Sequence, residues 1–129
     1  MKSSGYIWRP ELDAALASLL TTARDYGTFI RWLFGAGPMQ GGRPVLDRMI
    51  VQQSTINQSL GWGSGIGLEE TGGRTYVWHW GDNPGFKNFV VGEPTTGAAI
   101  VILTNGNAGQ RVYERVIRAR TGVDHPAFL

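Results

Sequence analysis

The chain has 129 residues, 42% hydrophobic and 17% charged, with a formal net charge of +2. That make-up fits one ordinary globular domain over 1–129; it excludes a disordered chain, and the scattered arginines give no reason to expect nucleic acid as a partner. The absence of cysteine excludes disulfides, thiolate metal sites and cysteine nucleophiles, and no apolar run approaches the roughly 20 residues of a membrane helix.

Residues 1–10 have no period and are expected to form an extended arm, with Tyr6, Ile7 and Trp8 apolar enough to pack on something. Met1-Lys2-Ser3-Ser4-Gly5 is not followed by an apolar core, so no signal peptide is expected and the cytoplasm is the default location. Pro10 to Leu20 is a short apolar segment with Leu12, Leu16, Leu19 and Leu20 near helical spacing. Thr22, three residues before Asp25, marks a helix start, because the hydroxyl can accept an early N–H and the carboxylate suits the positive helix end. Tyr26, Phe29, Ile30, Leu33 and Phe34 then recur at spacings of three and four and make one apolar face, ended by Gly35 and Gly37-Pro38. After the loop Gly41-Gly42-Arg43-Pro44, a shorter helix is expected over Leu46 to Gln53, with Leu46, Met49 and Ile50 inward.

From Gly61 the period changes to two. Trp62 to Glu69 reads as a glycine-interrupted strand, and Gly72-Gly73 as a turn. Arg74 to Trp80 is a second strand, with Tyr76, Trp78 and Trp80 on one face and Thr75, Val77 and His79 on the other. Asn83-Pro84-Gly85 turns the chain into a third strand, Phe86 to Val91, and Glu93 to Gly97 is another turn. Ala98 to Leu103 is nearly all apolar, the pattern of a buried central strand. A final helix covers Ala108 to Arg120, with Val112, Val116 and Ile117 inward, Arg111, Arg115 and Arg118 outward, and Gly122 as its cap. The expected fold is therefore α+β: N-terminal helices and a C-terminal helix packed on an antiparallel meander of about four strands.

Three segments together resemble the C-terminal part of serine β-lactamase and penicillin-binding-protein-like hydrolases, of the class C and esterase branch. Leu19-Leu20-Thr21-Thr22-Ala23-Arg24-Asp25-Tyr26 is similar to that family's helix start behind the active site. Gly61-Trp62-Gly63-Ser64-Gly65-Ile66-Gly67-Leu68 is similar to the strand entering its sheet. Trp78 through Asn83-Pro84-Gly85-Phe86 to Leu103-Thr104-Asn105-Gly106 is similar to the strands carrying its third motif and ending its sheet. The resemblance covers the chain from about Leu19 onward, and the order and spacing of the segments carry it.

That family uses a Ser-x-x-Lys nucleophile and base, a Tyr-x-Asn or Ser-x-Asn motif, and a Lys-Thr-Gly or His-x-Gly motif on the facing strand. Only the third is present, as His79-Trp80-Gly81. The resemblance implies that His79 supports bound substrate, and that an oxyanion-hole N–H comes from Asp82 or Asn83. The only lysines are Lys2 and Lys87, and Pro84 stands three before Lys87, so there is no Ser-x-x-Lys. No tyrosine or serine is followed two residues later by asparagine. The chain is thus expected to lack the part of the fold that carries the nucleophile.

Each candidate has a plainer reading. A histidine between Trp78 and Trp80 can be a packed strand residue, and without a nucleophile this structural or vestigial role is preferred for His79. Trp62, Trp78 and Trp80, with Asp82 and Asn83, could line a binding wall, although core packing is the commoner use of tryptophan. A new triad from His79, Asp82 or His125 with Ser54, Ser59 or Ser64 lacks a nucleophile-elbow context. No residues have metal-ligand spacing, and no cofactor is expected. The Gly61–Gly67 run has neither Walker nor dinucleotide spacing. Asn57-Gln58-Ser59 matches a glycosylation sequon, read as chance in a chain expected to be bacterial and cytoplasmic.

The leading expectation is a non-catalytic, stand-alone fragment of a β-lactamase-like serine hydrolase. Missing strands would leave a sheet edge and an apolar face uncovered, so a homodimer or higher oligomer is expected. The alternatives are a hydrolase half completed by a second chain that supplies the nucleophile, and a small-molecule binding module on the old cleft wall.

Overall fold

Thr22 opens the first helix in the way its side chain allows. Its Oγ1 accepts from the Asp25 backbone N–H at 3.1 Å and donates to Asp25 Oδ2 at 2.8 Å, and its backbone is extended, as an N-cap requires. The structure, a computed structural model, describes residues 19–128; the expected arm over 1–10 and most of the Pro10–Leu20 segment lie outside them. Helix α1 runs Ala23–Leu33 and buries Ile30 and Leu33, with Phe34 as its buried C-cap. Tyr26 is half-buried and Phe29 exposed, so the apolar face is wider than the core it meets.

The second helix, α2, spans Gly42–Met49 and not Leu46–Gln53. Proline misled the reading: Pro44 lies in the first turn, where a missing N–H costs nothing because those N–H groups have no helical acceptor. Gly41 turns into the helix at φ 89°, a conformation suited to glycine. Leu46 is fully buried, with Met49 and Ile50 partly so.

Among the described residues the sheet has six strands rather than about four, in the order β1 (Ser54–Thr55), β2 (Leu60–Trp62), β3 (Gly67–Thr71), β4 (Arg74–Asn83), β5 (Phe86–Glu93) and β6 (Ala98–Ile102). Every neighbouring pair is antiparallel. The expected strand over Trp62 to Glu69 is split into β2 and β3 by the turn at Gly63–Ile66. There Gly63 N–H donates to the Ile66 carbonyl at 2.8 Å, and a Cβ on Gly63 would run into the Met49 carbonyl. Asn57 Oδ1 accepts the N–H groups of Ser59 and Leu60 at 2.9 and 3.0 Å, which shapes the turn into β2.

Helices cover both faces. Val77 and Val90 pack with Ile30, Leu33, Phe34 and Leu46 beneath α1 and α2. Tyr76, Trp78, Phe89 and Val91 pack with Tyr113 and Ile117 of helix α3 (Gly109–Thr121) and with Ala127. The alternation expected along β4 is present: Tyr76 and Trp78 on one face, Val77 on the other. β6 closes the order as an edge strand among the described residues, not as the central strand its apolar run implied. Its composition reflects two covered faces, since Val101 packs on the α1 side and Ile100 and Ile102 on the α3 side. In α3, Ile117 is inward as expected, but Val112 and Val116 are exposed and Tyr113 takes the inward position. Gly122 caps α3 at φ 71°, its N–H donating to the Arg118 carbonyl. No described helix is long and apolar enough to cross a membrane.

Candidate functional site

The register of β4 positions the third motif. β3 begins at Gly67, opposite Trp78, and so reaches no further along β4, whereas β5 follows β4 from Val77 to Asn83. From His79 onward β4 therefore has a strand on one edge and none on the other among the described residues. His79, Gly81 and Asn83 share the face of Val77, and Trp80 and Asp82 share the face of Trp78.

His79 is exposed, and its ring makes no hydrogen bond among the described residues. Its ring contacts Trp62 edge-on at a centroid distance of 5.7 Å, and Trp80 lies 6.3 Å away. It separates two hollows. One, of about 290 Å³, runs beneath α1 and is lined by Tyr26, Phe29, Ile66 and Val90. The other, of about 280 Å³, is lined by Tyr26, Trp80, Gly81, Asn83 and Asn88. The site thus offers an imidazole, asparagine amides, tryptophan edges and the hydroxyls of Thr21 and Tyr26 beside apolar walls, a combination that can hold a small polar molecule; among the described residues neither hydroxyl is hydrogen-bonded to His79.

The hairpin carrying this site is fastened from behind. Asn83 pairs with Phe86 across Pro84-Gly85, and Gly85 takes φ 81°. Gly85 N–H donates to Asn107 Oδ1 at 2.8 Å, Thr104 N–H donates to Asn88 Oδ1 at 2.8 Å, and Thr104 Oγ1 donates to the Lys87 carbonyl at 2.6 Å. The turn at Asn83–Phe86 and the start of β5 are thereby tied to the loop around Thr104 and Asn107.

Other candidates are placed differently. Trp78 is 1% exposed, stacked at 9° on Phe89, and belongs to the core. A Cβ on Gly67 would meet the Trp78 indole, so that glycine exists for packing. Gly81 is unlike it: the nearest atoms to an added Cβ lie 3.5 Å away on Asn88, an ordinary contact. Nothing in the packing of the described residues requires glycine at the third motif. Asp82 is on the opposite face from His79 and is ion-paired with Lys87. His125 is likewise across the sheet, so His79, Asp82 and His125 do not converge. No hydrogen bond joins Ser54, Ser59 or Ser64 to either histidine among the described residues.

The family model described as Beta-lactamase matches residues 2–123. The chain belongs to the Beta-lactamase family. A search of curated proteins gave no match. Within this family member, the His-x-Gly triplet lies on a strand edge that no described strand pairs with, between two hollows.

One close pair was missed in the sequence. Glu69 and His125 are both buried, with Glu69 Oε1 at 2.7 Å from His125 Nδ1 and Glu69 Oε2 accepting the Ala127 N–H at 3.3 Å. The signal was present in the alternation: Glu69 stands opposite Tyr76, at an inward register position where a carboxylate must have a partner. Among the described residues, no group of three or more His, Asp or Glu could hold a metal.

Proposed function

We propose that this chain is a non-catalytic member of its family, one that keeps the strand wall of a β-lactamase-type cleft but does not hydrolyse substrate on its own. The observation that carries the reading is the setting of His79-Trp80-Gly81. An exposed histidine on an open strand edge, beside a glycine that packing does not require, is what a retained ligand-facing motif would leave. The 129 residues hold no Ser-x-x-Lys, so no activated serine is available for acyl transfer. Purified protein incubated with a chromogenic cephalosporin and a nitrophenyl ester tests this; the expected result is no turnover above buffer.

A second reading, a hydrolase half completed by another chain, draws on the open β4 edge past Trp78. In that case the lone chain is inert and gains activity when mixed with a chain that supplies the nucleophile. A third, binding without catalysis, draws on Trp62 and Trp80 beside the hollows; tryptophan fluorescence during a ligand screen reports on it.

The reading includes self-association as a homodimer or higher oligomer. It is supported by β6, which pairs only with β5 among the described residues, and by the exposed Val112 and Val116 of α3.

A further inference from the structure

The loop between β6 and α3 grips the His79 hairpin on either side of one dipeptide, Asn105-Gly106. Thr104, just before it, donates its N–H to Asn88 Oδ1 at 2.8 Å and its hydroxyl to the Lys87 carbonyl at 2.6 Å. Asn107, just after it, accepts the Gly85 N–H at 2.8 Å. The dipeptide itself is held less. Asn105 is exposed, and no hydrogen bond engages its side-chain amide among the described residues. The Gly106 N–H has no acceptor among them either, although its carbonyl accepts the Gly109 N–H at 3.0 Å. A Cβ on Gly106 would meet nothing within 4 Å, so the nitrogen is not crowded.

An asparagine amide carbon is an electrophile within reach of the next backbone nitrogen, and glycine offers that nitrogen with no side chain in the way. The Gly106 nitrogen, losing its proton, bonds to Asn105 Cγ, and the amide nitrogen leaves as ammonia. Water then opens either carbonyl of the resulting succinimide. One opening gives aspartate and the other isoaspartate, in which the main chain runs through the former side chain. The net change turns one amide and one water into one carboxylate and one ammonium ion. The other four asparagines are placed against this chemistry. Asn83 precedes Pro84, which has no N–H. Asn57, Asn88 and Asn107 each have Oδ1 bonded to a backbone N–H, and each precedes a residue with a side chain.

We propose that Asn105 is a site of spontaneous covalent modification, and that its conversion to isoaspartate releases the hairpin carrying the His79 wall. Isoaspartate adds one carbon to the main chain between Thr104 and Asn107, so the bonds to Gly85, Lys87 and Asn88 cannot all keep their lengths. The inference holds whether or not the wall binds a ligand.

Purified protein aged at mildly alkaline pH, which favours loss of the attacking nitrogen's proton, should gain an acidic species on isoelectric focusing. Peptide mapping should place isoaspartate at position 105. Gly106→Ala, for which there is space, should slow its appearance several-fold, and Asn105→Ser should abolish it. Hydrogen exchange at the Gly85 amide should be several-fold faster in the modified fraction than in fresh protein, and should stay at the fresh rate in Asn105→Ser aged alongside. No change at position 105 in folded protein, while the urea-unfolded chain is modified there, would overturn the site, as would equal modification at Asn57 or Asn88. Unaltered Gly85 exchange in the modified fraction would overturn the release of the hairpin.

Discussion

Glu69 and His125, 56 positions apart in the chain, meet at 2.7 Å with both side chains fully buried. The contact ties the tail after α3 to the inward face of β3, and Tyr76 and Phe128 hold the imidazole edge-on at 4.8 and 5.5 Å. Removing one partner strands the other in the core, which costs far more than the pair gains. Glu69→Ala should lower unfolding free energy by about 3–5 kcal/mol, read from urea denaturation. Glu69→Gln, which keeps an oxygen for Ala127 N–H, should cost less. Equal losses in the two variants would show that the His125 contact contributes nothing specific.

The glycines divide into those that packing requires and those that it does not. Gly67→Ala should lose about 1–3 kcal/mol because its methyl meets the Trp78 ring. Gly81→Ala should stay within about 0.5 kcal/mol of the parent, its nearest neighbour being Asn88 at 3.5 Å. Thermal melts of the two variants check the contrast. A large loss at Gly81 would mean that the third motif is kept for folding.

Much of the fold was legible because local chemistry and tertiary packing agree in it. Thr22 and Asp25 mark the start of α1, and Gly122 the end of α3. The two-residue period places Tyr76 and Val77 on opposite faces of β4. The errors arose where local signals conflicted with packing. Pro44 read as a loop residue but lies in the first turn of α2. The apolar run of β6 read as a central strand because two covered faces look alike whether or not the edge is paired. Val112 and Val116 read as inward on apolarity, yet Tyr113 and Ile117 fill the space against Phe89 and the sheet. At the site, His79-Trp80-Gly81 was legible as a motif. The hollows beside it come from α1 packing across the sheet, and Glu69–His125 from a contact between distant segments, which no local pattern encodes.

Alkaline pH should destabilise the fold through two tyrosines. Burial raises Tyr26 above its ordinary value of 10.0, and burial with the negative charge of Glu114 raises Tyr113. A group raised in the folded state contributes fully below its unfolded value, and the contribution is lost as pH climbs through the folded one. Stability should therefore hold to about pH 10 and fall beyond it. In Tyr26→Phe the fall should be shallower, as measured by denaturation between pH 9 and 11. An unchanged slope would remove Tyr26 as a cause.

Self-association through the β6 edge and the flank of α3 should respond to charge. Light scattering at high micromolar concentration is expected to show a dimer or larger species, and Val116→Glu to shift it toward monomer without loss of helix signal. Monomer alone in the parent protein would contradict the association.

The proposed function rests on an exposed His79 wall kept without catalysis by the chain itself. The most direct measurement is hydrolysis of a chromogenic cephalosporin and a nitrophenyl ester by purified protein beside His79→Ala. Both proteins should match buffer, and the substitution should change stability by less than about 0.5 kcal/mol. Turnover by the parent protein that disappears in His79→Ala would contradict it.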